Sequence, residues 1–145
     1  MTFYHWSDDP IELDPFCEYK QKPLCKPSGL WFDVDGAWKT WCKHNDFREM
    51  TLKHCYEVII PDSHDILKIT NAEQLDDFTE MFRDRTQIAV VSLDWPTITQ
   101  IFDAIVIAPY IWSRRLYIST TWYYGWDCAS GCVWNLNGVS LQEKK

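Results

Sequence analysis

No apolar run in this 145-residue chain approaches the roughly 18 residues that a membrane-crossing helix requires. A helical membrane span is therefore not expected. The opening Met1-Thr2-Phe3-Tyr4-His5-Trp6 has neither a basic stretch nor an apolar core behind it. That argues against a signal peptide and for a soluble, cytoplasmic protein. There is no run rich in lysine or arginine, and the formal net charge is −7. An acidic chain repels phosphate backbones, so strong nucleic-acid binding is not expected. The basic candidates are the pair Arg114-Arg115 and the cluster Lys20, Lys22 and Lys26. No internal repeat, low-complexity tract or linker divides the sequence, and its length suits one domain, residues 1–145. Only the last four residues, Gln142 to Lys145, read as a disordered tail.

Cysteine and tryptophan are what the chain does have. Six cysteines lie at 17, 25, 42, 55, 128 and 132. Without a secretory signal they are expected to be buried or free thiols rather than disulfides. Cys42-Lys43-His44, His54-Cys55 and Cys128-x3-Cys132 could supply zinc ligands, but these spacings match no strong zinc pattern. Nine tryptophans sit at 6, 31, 38, 41, 95, 112, 122, 126 and 134. Most are expected in the core. Some could instead line a slot for a flat heteroaromatic ring, because aromatic faces stack well on such ligands.

Periodicity predicts a mixture of strands and short helices. Phe3–Ser7 reads as a first strand, ended by Asp8-Asp9-Pro10. Residues 11–28 hold three prolines without a clean period and read as loop. Gly29-Leu30-Trp31-Phe32 reads as a second strand. Trp38, Trp41 and Cys42 recur at helical spacing from about Ala37 to His44. Strands follow at 55–60 and 65–69. Asn71 with Gln74 has the form of a capping box for a helix to about Arg85. Asp94-Trp95-Pro96 opens a further helix, and 103–107 is a buried strand. Trp122-Tyr123-Tyr124 and Gly131 to Trp134 are expected as closing strands. Helices do not alternate regularly with strands, which argues an α+β fold rather than a doubly wound sheet.

Three segments together resemble the ADP-ribosyltransferase superfamily, in the histidine-containing branch typified by poly(ADP-ribose) polymerases. Tyr4-His5-Trp6-Ser7 is similar to the family's first-strand histidine with a hydroxyl residue two places on. Gly29-Leu30-Trp31-Phe32, with Trp38, Trp41 and Cys42 behind it, is similar to the Gly-Ile-Tyr-Phe strand and its following helix. The remaining pieces also come in the family's order and close on Cys132-Val133-Trp134-Asn135. The resemblance spans nearly the whole chain. It implies an ADP-ribosyltransferase-like split β-sheet with a few short helices, and NAD as the bound dinucleotide.

The resemblance also implies roles. His5 would bond a ribose hydroxyl, and the backbone of Trp6 would clasp the nicotinamide amide where many relatives have glycine. Ser7 and Gly29 complete the two motifs. Trp31 and Trp41 match the two pocket tyrosines, with Trp38 able to exchange roles with Trp41. Relatives carry a glutamate at the start of the closing strand, and here that position is Ser130. Cleavage of the bond from nicotinamide to ribose builds positive charge on the sugar, so a carboxylate is wanted nearby. Asp127 is the first substitute. Asp103, at the head of its strand, is the second, with turn capping as its plain structural role.

The function so implied is mono-ADP-ribosyl transfer from NAD to a protein, nucleic-acid or small-molecule acceptor. A small domain of this kind suits a toxin, an effector or a phage or viral protein. The alternative is a catalytically inactive relative that binds a nucleotide or modified base, and the missing glutamate supports it. A 2′-phosphotransferase-like activity on the same fold ranks lower, because it needs several arginines together and only Arg114 and Arg115 offer themselves as an adjacent pair. Zinc-dependent chemistry ranks lower still.

Overall fold

The computed structural model describes residues 1–48 and 52–145. The described chain is α+β. Its strands are β1 (Phe3–Ser7), β2 (Leu30–Val34), β3 (His54–Ile59), β4 (Ile66–Ile69), β5 (Ala104–Ile107), β6 (Ser130–Val133) and β7 (Ser140–Lys144). They form one mixed sheet in the order β4-β5-β6-β2-β1-β3-β7. Only β4 and β5 run parallel, and two helices, α2 (Ala72–Phe82) and α3 (Trp95–Ile101), lie in the connection between them. Helix α1 (Ala37–His44) follows β2. Among the described residues no helix is long and apolar enough to cross a membrane.

The sheet is buried on both faces near its middle. All four residues of β5 are buried. Ile105 and Ile107 join a core cluster containing Leu75, Phe78, Trp95 and Trp122. Ala104 and Val106 join the opposite cluster with Leu30, Phe32 and Val133. This is the side-to-side alternation of a strand, and it explains why the 103–107 segment reads as a nearly unbroken apolar run. The proline-bearing loop at 11–28 carries no helix or strand. It lays Ile11, Leu13 and Cys17 over the second cluster.

Local chemistry sets the helix starts. The Asn71 side chain accepts the Gln74 N–H at 2.9 Å, while the Gln74 side chain accepts the Thr70 N–H at 2.8 Å. This is the reciprocal capping that the sequence suggests, reaching one residue further back. Asp94 caps α3 through Thr97, whose hydroxyl donates to it at 2.7 Å. Helix α2 ends at Phe82, short of Arg85. There the chain turns into a bridge between Arg83 and Leu93.

Two expectations are corrected. Trp122-Tyr123-Tyr124 is not a strand but part of a 3₁₀ segment, Ile118–Gly125. Tertiary contacts outweigh its aromatic β-propensity. Trp122 and Tyr123 are adjacent and both fully buried; the Trp122 indole donates to Thr79 Oγ1 at 2.9 Å, and the Tyr123 hydroxyl accepts the Ile111 N–H at 3.0 Å. Nor is the C-terminal segment a loose tail. Ser140–Lys144 pairs with β3 through five residue pairs as an exposed edge strand.

The tryptophans divide by burial. Trp95, Trp122, Trp126 and Trp134 are core residues. Burying about 200 Å² of ring at ~25 cal/mol per Å² makes each worth about 5 kcal/mol before entropy is charged against it. Trp6, Trp31, Trp38 and Trp41 are only half-buried, and Trp112 is 70% exposed. The half-buried four are the ones the resemblance assigns to a ligand.

Candidate functional site

The shortest ladder in the sheet joins β1 to β2. It holds two residue pairs, Phe3 with Val34 and Tyr4 with Asp33, against four between β1 and β3. Beyond it, side chains make the connections. His5 Nδ1 lies 2.6 Å from the Trp31 carbonyl oxygen, and the Trp6 indole donates to Asp33 Oδ2 at 2.9 Å. A carbonyl only accepts, so Nδ1 of His5 carries a proton. In the neutral ring Nε2 is then the acceptor.

A cleft of about 240 Å³ opens at this seam. His5, Trp6, Trp31, Trp38, Asp127 and Ser130 all line it, brought from β1, β2, α1, the loop after the 3₁₀ segment, and β6. Its walls are mainly aromatic. Trp31 meets Trp126 edge to face at 4.8 Å, and Trp38 stacks on Trp41 at 5.1 Å with their planes 8° apart. The Lys26 ammonium stands over the Trp31 ring at 5.4 Å, and Lys39 over Trp6 at 5.2 Å. Arg48 also lines the cleft and pairs with Asp8 at 3.3 Å. Lys26 and Arg48 thus bring positive charge to a cleft that Asp33 and Asp127 also line. Lys26 comes from the cluster noted in the sequence, whereas Arg114 is engaged elsewhere with Asp76 at 2.8 Å.

Asp33, like Arg48 and Trp126, is a cleft residue that the sequence motifs do not point to. It is 2% exposed and lines the cleft. Its carboxylate accepts from the Trp6 indole, from the Gly36 N–H at 3.0 Å and from the Trp38 N–H at 3.0 Å. Gly36 caps α1 in the left-handed region, φ 81°, and brings no side chain. Asp33 therefore satisfies the first free donors of that helix from the neighbouring strand. Burial pushes its pKa above the usual carboxylate value, although these three bonds pull the other way. The sequence signal was an acid inside an apolar strand, three residues before a glycine that opens a helix.

The expected carboxylates separate. Asp127 lies at the cleft, its Oδ1 3.6 Å from the Arg115 guanidinium, which is itself bonded to the Tyr110 hydroxyl at 3.1 Å. Asp103 does not reach the cleft. It heads the far end of β5, next to Ala104, which pairs with Val133, whereas Ser130 pairs with Ile107 at the other end. Its oxygens accept from the Asp65 N–H at 2.8 Å and the Asn135 amide at 2.9 Å. Burial raises its pKa, but these bonds and His64 outweigh that and hold it below the ordinary value. Asp103 is a turn clamp.

Three other residues also take structural positions. The Ser7 hydroxyl donates to the Asp9 carbonyl and does not line the cleft. Gly29 lets β2 approach β6, because a Cβ there would lie 2.6 Å from Cys132 Sγ. Trp41 backs Trp38 and lines a different cavity. Ser130, at the head of β6 beside Asp33, donates its hydroxyl to the Cys128 carbonyl at 3.0 Å.

No protein-family model, no curated protein and no solved structure matches this chain. The chemistry must be read from the cleft itself. Among the described residues no group of three His, Cys, Asp or Glu side chains could hold a metal ion. Cys128 lines the cleft, but burial, with Asp33 and Asp127 adding to it, pushes its thiol up to about 12. That leaves it a poor nucleophile.

Proposed function

We propose that this chain is an NAD-dependent mono-ADP-ribosyltransferase with an ADP-ribosyltransferase-like fold. One observation carries the reading: His5, Trp6, Trp31, Trp38, Asp127 and Ser130, singled out from distant parts of the sequence, line one aromatic cleft. The short β1–β2 ladder supports it too, since a sheet that all but parts at this seam suits a split-sheet core. NAD fits the residues present. Indole faces suit a pyridinium ring, and the Lys26 ammonium at the cleft suits phosphate. The cleft is smaller than the roughly 300–1,000 Å³ of sites that enclose a whole drug-sized ligand. It takes one ring and its sugar, with the rest of the dinucleotide outside.

NAD supplies the activated glycosidic bond, whose cleavage places positive charge on the ribose. The indoles of Trp6, Trp31 and Trp38 hold the ring and exclude water. Nε2 of His5 accepts a hydrogen bond from a ribose hydroxyl. Asp127 provides the negative charge, because the Asp33 carboxylate is committed to three donors and Ser130 has none. The test is nicotinamide release from labelled NAD. Wild type is expected to release it, and Asp127→Ala to slow release at least about tenfold. Tight NAD binding without release would instead support the inactive binding module. Two observations favour that second reading: the Ser130 hydroxyl turned to a carbonyl, and the Asp127 charge shared with Arg115.

A further inference from the structure

A second cavity also has Asp127 in its lining. It measures about 490 Å³, within the range of small-molecule sites. Trp41, Tyr110 and Trp112 supply aromatic surface, with Tyr110 and Trp112 edge to face at 4.7 Å. His44, Arg115 and Asp127 supply polar groups. Asp127 and Cys128 line both cavities, so the two are adjacent there.

A group transfer needs two substrates whose reacting atoms meet at one point. We propose that the second cavity is the acceptor site and that it takes a nucleobase. This inference rests on the transferase reading above. A flat heterocycle matches the indole and phenol faces, and its polar edge matches the donors and acceptors among them. A guanidinium or ammonium acceptor is disfavoured, because Arg115 already lies beside Asp127 there. In the transfer, an N–H of the base attacks the anomeric carbon and a new C–N bond forms. The bond to nicotinamide breaks, and nicotinamide leaves with that bonding pair as a neutral molecule. The proton from the base passes to Asp127 and on to water.

The experiment titrates the full chain separately with adenosine, guanosine, cytidine, uridine and nicotinamide. Binding is followed by the indole N–H signals of the wild type and by affinity in Trp112→Ala and Trp31→Ala. Trp112 is exposed, and circular dichroism verifies that its variant folds. At least one nucleoside is expected to shift the Trp112 signal in wild type and to bind at least tenfold more weakly to Trp112→Ala. Nicotinamide is expected to respond mainly to Trp31→Ala. Absence of nucleoside binding, or nucleoside binding lost only in Trp31→Ala, overturns the inference. NAD cleavage is measured in parallel. Cleavage without nucleoside binding defeats the acceptor site alone. Nucleoside binding at Trp112 without cleavage defeats the transferase reading, and the cavity then stands as a base-binding site only.

Discussion

Asp33 of β2 holds the indole of Trp6 of β1 across the seam where the two strands stop pairing, with Oδ2 2.9 Å from the indole nitrogen. The same carboxylate holds the first turn of α1, and so fixes Trp38 as well. Two walls of the cleft depend on one buried acid.

Asp33→Ala removes the acceptor for three N–H groups in a buried setting. A loss of about 3 kcal/mol is expected, since each stranded donor costs on the order of 1 kcal/mol or more. Urea unfolding followed by tryptophan fluorescence measures it. A loss under about 0.5 kcal/mol would show that the three bonds do not anchor the seam.

The same acid gives a pH dependence of definite sign. Its folded pKa is raised, chiefly by burial. The native state therefore favours the protonated form. The stability this contributes is full below the ordinary carboxylate value of about 4, and is lost as pH rises through the raised folded value. The wild type minus Asp33→Asn difference in unfolding free energy should shrink as pH rises through that window. A difference that grows with pH would mean a lowered pKa and contradict the burial argument.

Cys128 and Cys132 should react slowly with thiol reagents in the native protein. Burial pushes Cys128 to about 12, and full burial raises Cys132 as well. At pH 8 about one Cys128 in ten thousand is thiolate, and the thiolate is the reactive form. A time course with a disulfide reagent, mapped by mass spectrometry, should label both only after denaturant is added. Rapid native labelling of Cys128 would show an accessible thiol at the cleft.

Gly131→Ala should destabilise the middle of the sheet. A Cβ at Gly131 would lie 2.6 Å from the Phe32 ring and run into the Ile105 carbonyl oxygen. β6 lies between β5 and β2, so neither neighbour moves freely. An overpacking cost of about 1–3 kcal/mol is expected in urea unfolding. An unchanged midpoint would mean that the strands have room to shift.

Periodicity located the elements whose apolar stripe or cap is local. Phe3–Ser7, Ala37–His44 and the start at Asn71 lie where the pattern predicts. The misses are residues whose structure depends on distant partners. Trp122 and Tyr123 look like a strand until Thr79 and Ile111 are seen beside them. β7 is almost wholly polar and owes its form to β3. In the candidate site, His5, Trp6, Trp31, Trp38, Asp127 and Ser130, picked out by their motifs, all line one cleft. Asp33 was not picked out, because its three donors come from β1, the Gly36 turn and α1. Asp103 is open in the sequence between a catalytic position and a turn clamp, and the Asp65 and Asn135 contacts put it in the turn.

A crystal structure of the protein soaked with NAD tests the central reading most directly. The nicotinamide ring should lie against the Trp31 indole at the β1–β2 seam, with His5 Nε2 in hydrogen-bond reach of a ribose hydroxyl and Asp127 facing the sugar. NAD bound away from that seam, or a cleft left empty at saturating NAD, would contradict it.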